Sequence, residues 1–332
     1  MNSLKKIVAY IALGAVMFNL GYLVAGSSES YNPAIAAPIP PADGVFSSLT
    51  YGTSNDVSHW KNNYFDSPKN SKIVSGGWVL ESWKSWHTDW LKKFTLKENA
   101  DKIPMMYIYT VAGKARASQG LQDCNVGAKV TLCQNGANFL RNNYKNITQE
   151  YTNTAQKIKT IYGDKKPILL QMEPDFYQYH NQYGQQNPLT NQEAWNIMNT
   201  WTDSIKSILP NARLVMDVSP WGNDLQTWSS GFRNFTYAGL VGRDYPASGE
   251  KKTADGVWGK TYSQISQLTG KQLILNTAHG PAGVFLPYDT TWENTELIKS
   301  RFKDGVIAVI QPPNANERYT NYISRYSKNP IK

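Results

Sequence analysis

Carboxylates at the ends of short apolar runs are the residues of this chain best placed to do chemistry. Met172-Glu173-Pro174-Asp175 follows the run Pro167-Ile168-Leu169-Leu170-Gln171. A strand there would carry Glu173 out of the apolar layer, and Pro174 would end regular structure. Asp175, two residues on, is expected on the same side. Two carboxylates this close repel when both are ionised, which raises one pKa toward the value a general acid needs. A helix-start pair, with Asp175 capping N–H groups, is the structural alternative. Asp217 ends the next run, Leu214-Val215-Met216, and precedes Pro220-Trp221. A carboxylate pair flanking a bond is the minimal equipment for glycoside hydrolysis. Asp244 in Gly242-Arg243-Asp244-Tyr245 and Asp123 in Gln122-Asp123-Cys124 are two further acids, the first beside an arginine and the second in a loop.

Sugar rings present apolar C–H faces, and the chain has 11 Trp and 20 Tyr against 10 Phe. Trp78, Trp83, Trp86 and Trp90 surround Glu81 and His87; the spacing requires some of them to be helix core. Trp221 and Tyr177 flank the carboxylates, and Asn276 and His279 follow a late apolar run. Trp78, Glu81, Trp83, Tyr177, Trp221, Asn276 and His279 are therefore the expected substrate contacts. Lys114 and Arg116 could meet an acidic sugar or simply be solvated.

Other chemistries find less support. The four histidines are scattered and match no zinc spacing, and there is no His-Glu-x-x-His or Gly-x-Ser-x-Gly. No glycine-rich phosphate fingerprint is present, so no metal or cofactor is expected. The net charge of +9 is spread along the chain without a basic block, which argues against nucleic acid. A monomer acting on a polysaccharide or oligosaccharide is the expected state.

Eight β-rich runs alternate with helix-like stretches: Val45–Tyr51, Lys72–Leu80, Met105–Val111, Ile168–Met172, Arg213–Val218, Tyr237–Val241, Gln272–Asn276 and Val306–Gln311. Several are continuously apolar, as strands buried on both faces of a parallel sheet must be. A doubly wound open sheet has the same local signals, but the count of eight and the polar groups just after the runs favour a (β/α)8 barrel, whose C-terminal strand ends share one rim where those groups would converge. Helical spacing covers Gly136–Tyr162 and Thr190–Leu209, the latter opening on the capping box Thr190-Asn191-Gln192-Glu193.

At the N-terminus, Lys5 and Lys6 precede an uncharged, mostly apolar run of 19 residues, Ile7 to Ala25, followed by Gly26-Ser27-Ser28. Residues 1–26 read as an export signal or a membrane anchor, the only membrane contact expected. Either places the remainder outside the cytoplasm. Residues 27–43 read as a Pro/Ser/Ala-rich linker and 44–332 as one catalytic barrel. The two cysteines, Cys124 and Cys133, are expected to form a disulfide across a short loop.

These features resemble glycoside hydrolase family 6, the secreted cellobiohydrolases and endoglucanases, over roughly residues 105–280. Gln122-Asp123-Cys124 is similar to that family's Arg-Asp-Cys, which implies Asp123 as catalytic acid. Met172-Glu173-Pro174-Asp175 is similar to its Glu-Pro-Asp, which implies that Asp175 keeps the acid protonated. Leu214–Asp217 with Pro220-Trp221-Gly222 resembles its next strand and Trp-bearing loop. Asn276-Thr277-Ala278-His279-Gly280 resembles its Asp-Thr-Ser-Arg-Asn-Gly, but with an amide where that family has a candidate base. Clan A glycosidases, with a Glu ending the fourth strand, are also similar. They place Asn before that Glu and a second Glu on the seventh strand, where this chain has Met172 and Asn276. The expected reaction is glycosidic hydrolysis, with Glu173 or Asp123 protonating the leaving oxygen. Asp217, Asp244 or Asp175 would assist water or act as nucleophile. A catalytically inactive glycan-binding barrel and a different barrel enzyme are the alternatives.

Overall fold

Alternate residues of each apolar run face opposite sides of a strand, and here both sides are covered. A computed structural model describes residues 45–46, 48–54, 71–122, 131–180, 184–241, 260–278 and 288–312. Its strands are β1 (Thr50–Ser54), β2 (Ile73–Val79), β3 (Ile103–Ile108), β4 (Ile168–Met172), β5 (Ala212–Asp217), β6 (Phe235–Val241), β7 (Leu273–Asn276) and β8 (Val306–Gln311). Each pairs in parallel with the next, and β8 closes on β1 to complete the barrel. The fold is the (β/α)8 barrel that the eight runs predicted.

Ile73, Met105, Tyr107, Leu169, Val215, Tyr237, Ile274 and Ile310 fill the interior as one apolar cluster. Their neighbours Val74, Met106, Ile108, Leu170, Leu214, Met216, Leu240 and Leu275 belong to a second, larger cluster beneath the helices. That double burial is why the runs are continuously apolar rather than alternating.

The helices are α1 (Ser85–Lys92), α2 (Thr110–Gln119), α3 (Leu132–Tyr162), α4 (Asn191–Ile208), α5 (Leu225–Ser230), α6 (Tyr262–Thr269) and α7 (Thr295–Lys303). In α3, Phe139, Leu140, Ile147, Tyr151, Ala155 and Ile158 are buried, and Gly163 follows at a φ of 88°. The Thr190–Glu193 capping box forms as expected. Arg141 of α3 reaches across to grip both Glu193 oxygens at 2.8 and 3.0 Å, and also donates to the carbonyls of Asn187 and Pro188. One planar guanidinium thus ties α3 to the start of α4.

Several boundaries differ from expectation, two of them instructively. The third run was expected to extend to Val111, but Thr110 and Val111 are the first turn of α2. β1 begins at Thr50 rather than Val45, although Phe46 still plugs the interior. β-branched residues suit strand and first helical turn alike, so composition alone does not separate them. Residues 1–44, which hold the expected signal or anchor and the linker, lie outside the described residues.

Candidate active site

β4 and β5 lie side by side, with Leu170 opposite Leu214 and Met172 opposite Met216. Gln171 and Asp217 alternate with the interior residues Leu169 and Val215, so they occupy the inward face near the C-terminal rim. The Gln171 amide donates to Asp217 Oδ1 at 2.6 Å. Beside them, Gly239 of β6 leaves the room they need: a Cβ there would stand 2.9 Å from Gln171 Oε1. Asp217 Oδ2 accepts the main-chain N–H of Asp175 at 3.0 Å, which ties the β4–α4 loop to the end of β5. Asp175 adopts a φ of 65°, and its side chain is exposed.

Burial and the adjacent charge of Asp175 push the Asp217 carboxyl up to about 7, against the pull of the Asp175 N–H and the Gln171 amide. Asp217 is thus poised to exchange a proton near neutrality.

The rest of the polar layer comes from β2, β3 and β7. The Asn276 amide donates to the Tyr107 hydroxyl, and that hydroxyl lies 3.5 Å from Ser75 Oγ. Asn276 Oδ1 accepts from Ala278 N at 3.0 Å. Burial first, and the Asp217 charge in addition, raise the Tyr107 pKa to about 12, so it stays a neutral hydroxyl. Asn276 stands where β7 ends, inside this layer, as a hydrogen-bonding group that cannot carry a proton to a substrate.

Glu173 departs from expectation. Its φ of 41° breaks the alternation of β4, and its side chain is fully enclosed instead of emerging at the rim. Oε1 accepts the N–H groups of Thr110 at 2.7 Å and Val111 at 3.1 Å, at the start of α2, and the hydroxyl of Tyr151 from α3. Oε2 is buried with no hydrogen-bond partner among the described residues. Burial raises this carboxyl to about 7; the three donors oppose the shift. Glu173 therefore seats α2 against α3, and it does not share a side with exposed Asp175. The separation follows from two left-handed φ values in three residues, a conformation that Asp tolerates and Glu rarely adopts.

Sequence reasoning missed a second constellation at this rim. Asp224 accepts the Tyr177 hydroxyl at 2.6 Å and faces His180 Nε2 at 3.0 Å; His180 Nδ1 lies 2.6 Å from the Leu189 carbonyl. With acceptors at both nitrogens, the ring must be an imidazolium to satisfy them. Burial alone would lower its pKa, but Asp224 and the Leu189 carbonyl outweigh that and raise it. His180 is thus a strut between the two loops, not a free base. No spacing in the sequence signals it, since His180 and Asp224 stand 44 residues apart.

The expected aromatic contacts divide. Trp221 meets the Tyr177 ring edge-on at 4.8 Å. Trp228 packs under both Tyr177 and His180. Trp90 is core, Trp83 is partly buried and donates to Thr88 Oγ1, and Trp86 stacks on His87. The Trp78 side chain is outside the description. Glu81 lies against α2, its Cγ 2.6 Å from where a Cβ on Gly113 would stand. Lys114 is paired with Glu150 at 2.6 Å. Asp123, Cys124, Asp244 and His279 lie outside the described residues, so the Cys124–Cys133 pairing stays an expectation. Among the described residues no group of three His, Cys, Asp or Glu could hold a metal ion.

No protein family is matched by the sequence, and no curated protein matches it. Solved structures match it in fold. A GH26 β-mannanase from Bacteroides ovatus superposes with a TM-score of 0.52 at 11% identity, covering 85% of this chain and 85% of that one. Morphinone reductase in complex with tetrahydroNAD gives 0.52 at 11% identity, over 87% and 90%. A ruminal GH26 endo-β-1,4-mannanase gives 0.50 at 12% identity, covering 84% of this chain; the chain spans only 62% of that protein's length. The barrel is thus of a type that glycoside hydrolases use, and reductases use it too. The neighbours named here are GH26 enzymes and a reductase, so family 6 membership gains no specific support from them.

Proposed function

We propose that this chain hydrolyses a glycosidic bond, with Asp217 as the general acid. The observation that carries the reading is Asp217 at the C-terminal rim, raised to about 7 by burial and by Asp175. A protonated carboxyl can give its proton to the leaving oxygen near neutrality, and the exposed carboxylate of Asp175 can take one from the attacking water. The acid role thus passes from Glu173, which is walled in, to Asp217. The mannanases of the same fold make a β-linked polysaccharide the substrate class to try first. Lys5, Lys6 and the apolar run after them support an exported or outward-anchored enzyme.

The test is release of reducing ends from β-mannan, β-glucan and β-galactan by the purified chain and by Asp217→Asn. Cleavage lost in the variant is the expected result. Undiminished cleavage would remove Asp217 from the mechanism. A second reading, a glycan-binding barrel without turnover, is favoured by Asn276, an amide at the end of β7 held by Tyr107 and Ala278. Retention of a glycan with no product would support it.

A further inference from the structure

The turn after Asp217 is held by a lysine that has no acidic partner among the described residues. Lys260, just ahead of α6, directs its ammonium to the carbonyls of Pro220 at 2.9 Å and Gly222 at 3.2 Å. These two carbonyls flank Trp221. No carboxylate pairs with Lys260 among the described residues, and burial lowers its pKa. Taking an ammonium even half out of water is costly. A neutral residue would be cheaper unless the two carbonyls had to be fixed.

The other side of the turn is fixed as well. Gly222 N donates to Ser219 O at 3.0 Å, closing the turn. A Cβ on Gly222 would stand 2.9 Å from the Tyr177 ring, so only glycine lets the turn lie on that ring. Tyr177 is itself pinned through its hydroxyl to Asp224. Trp221 is therefore the one large side chain of a turn whose backbone is clamped on both sides, in the same loop that begins at Asp217. Rigid aromatic surface costs little entropy when a ligand stacks on it.

We infer that Trp221 is a sugar-stacking platform beside Asp217, and that Lys260 is its positioning residue, acting through the Pro220 and Gly222 carbonyls. This rests on the glycan reading above. Its backbone half can be tested without any glycan. In chain labelled with 5-fluorotryptophan, loss of a 19F signal in Trp221→Phe assigns the Trp221 resonance. Lys260→Met should shift or broaden that resonance while those of buried Trp90 and Trp201 stay in place, and Lys260→Arg, which can still donate to both carbonyls, should restore it. An unmoved Trp221 resonance in Lys260→Met overturns the positioning role. Mannohexaose or cellohexaose should then perturb the Trp221 resonance in the wild type and bind about tenfold more weakly to Lys260→Met. Trp221→Ala should bind as weakly, with no further loss in the double variant. If Lys260→Met moves the resonance but neither oligosaccharide does, the clamp stands and the sugar platform is overturned. If Trp221→Ala keeps full affinity while hydrolysis continues, the platform fails and the enzyme reading survives.

Discussion

The main-chain N–H of Asp175 donates to Oδ2 of Asp217 at 3.0 Å, so the loop after β4 is hydrogen-bonded to the carboxylate that ends β5. The same approach brings the Asp175 charge close enough to raise the Asp217 pKa. The Asp175 charge thus adds to burial, the larger cause, in raising the Asp217 carboxyl, while the N–H bond itself opposes the rise.

If Asp217 is the acid, Asp217→Asn should lower kcat by about 10²–10⁴-fold with little change in KM. The wild-type rate should fall as pH rises through about 7, where Asp217 loses its proton. A kcat profile still rising at pH 8 would show that the protonated form is not the one that works.

Glu173 should matter for stability rather than turnover. Removing its side chain in Glu173→Ala strands the Thr110 and Val111 N–H groups and the Tyr151 hydroxyl. The expected cost is roughly 3 kcal/mol, read from the urea midpoint. Glu173→Gln keeps an acceptor oxygen and should retain activity. Abolished turnover in a Glu173→Gln variant that melts like the wild type would return Glu173 to the chemistry.

The two raised carboxyls predict the sign of the pH dependence of stability. Glu173 moves from 4.5 to about 7 and Asp217 from 3.8 to about 7, so between these limits the folded chain binds more protons than the unfolded chain. Stability must then fall as pH rises from about 4 to 7, and for Glu173 the loss is on the order of 3 kcal/mol. Melting temperatures taken from pH 4.5 to 7.5 should decline in the wild type and decline less in Glu173→Gln.

His180 should titrate above its ordinary range, because Asp224 and the Leu189 carbonyl both accept from its ring. Its contribution is present in full below about pH 6.5 and is lost as pH rises through the raised folded value. An NMR titration of the His180 ring proton should show a midpoint above 6.5. In Asp224→Asn the midpoint should drop. A midpoint below 6.5 in the wild type would mean that the strut is not an ion pair.

The sequence by itself determined the strands and helices and favoured the barrel. Apolar runs buried on both faces suit an open doubly wound sheet equally; the count of eight and the polar groups after the runs pointed to the barrel, and the strands formed within a few residues of those runs. It also marked the rim, because Asp217, Asp175 and Asn276 each stand at or just past a strand end. It could not decide which carboxylate faces the centre. Glu173 follows an inward Gln171 and an outward Met172, so alternation pointed it at the mouth. Left-handed φ values at Glu173 and Asp175 turned it instead onto the first turn of α2. Glu173 is held there by the main-chain bond to Ile108, the α2 N-terminus and Tyr151, partners 22 to 65 residues away in the chain, and Asp175 by its N–H bond to Asp217. The grip of Lys260 on the Trp221 turn has the same origin. Local pattern records the period of an element, but where a side chain at its end points depends on donors that only the closed barrel brings near.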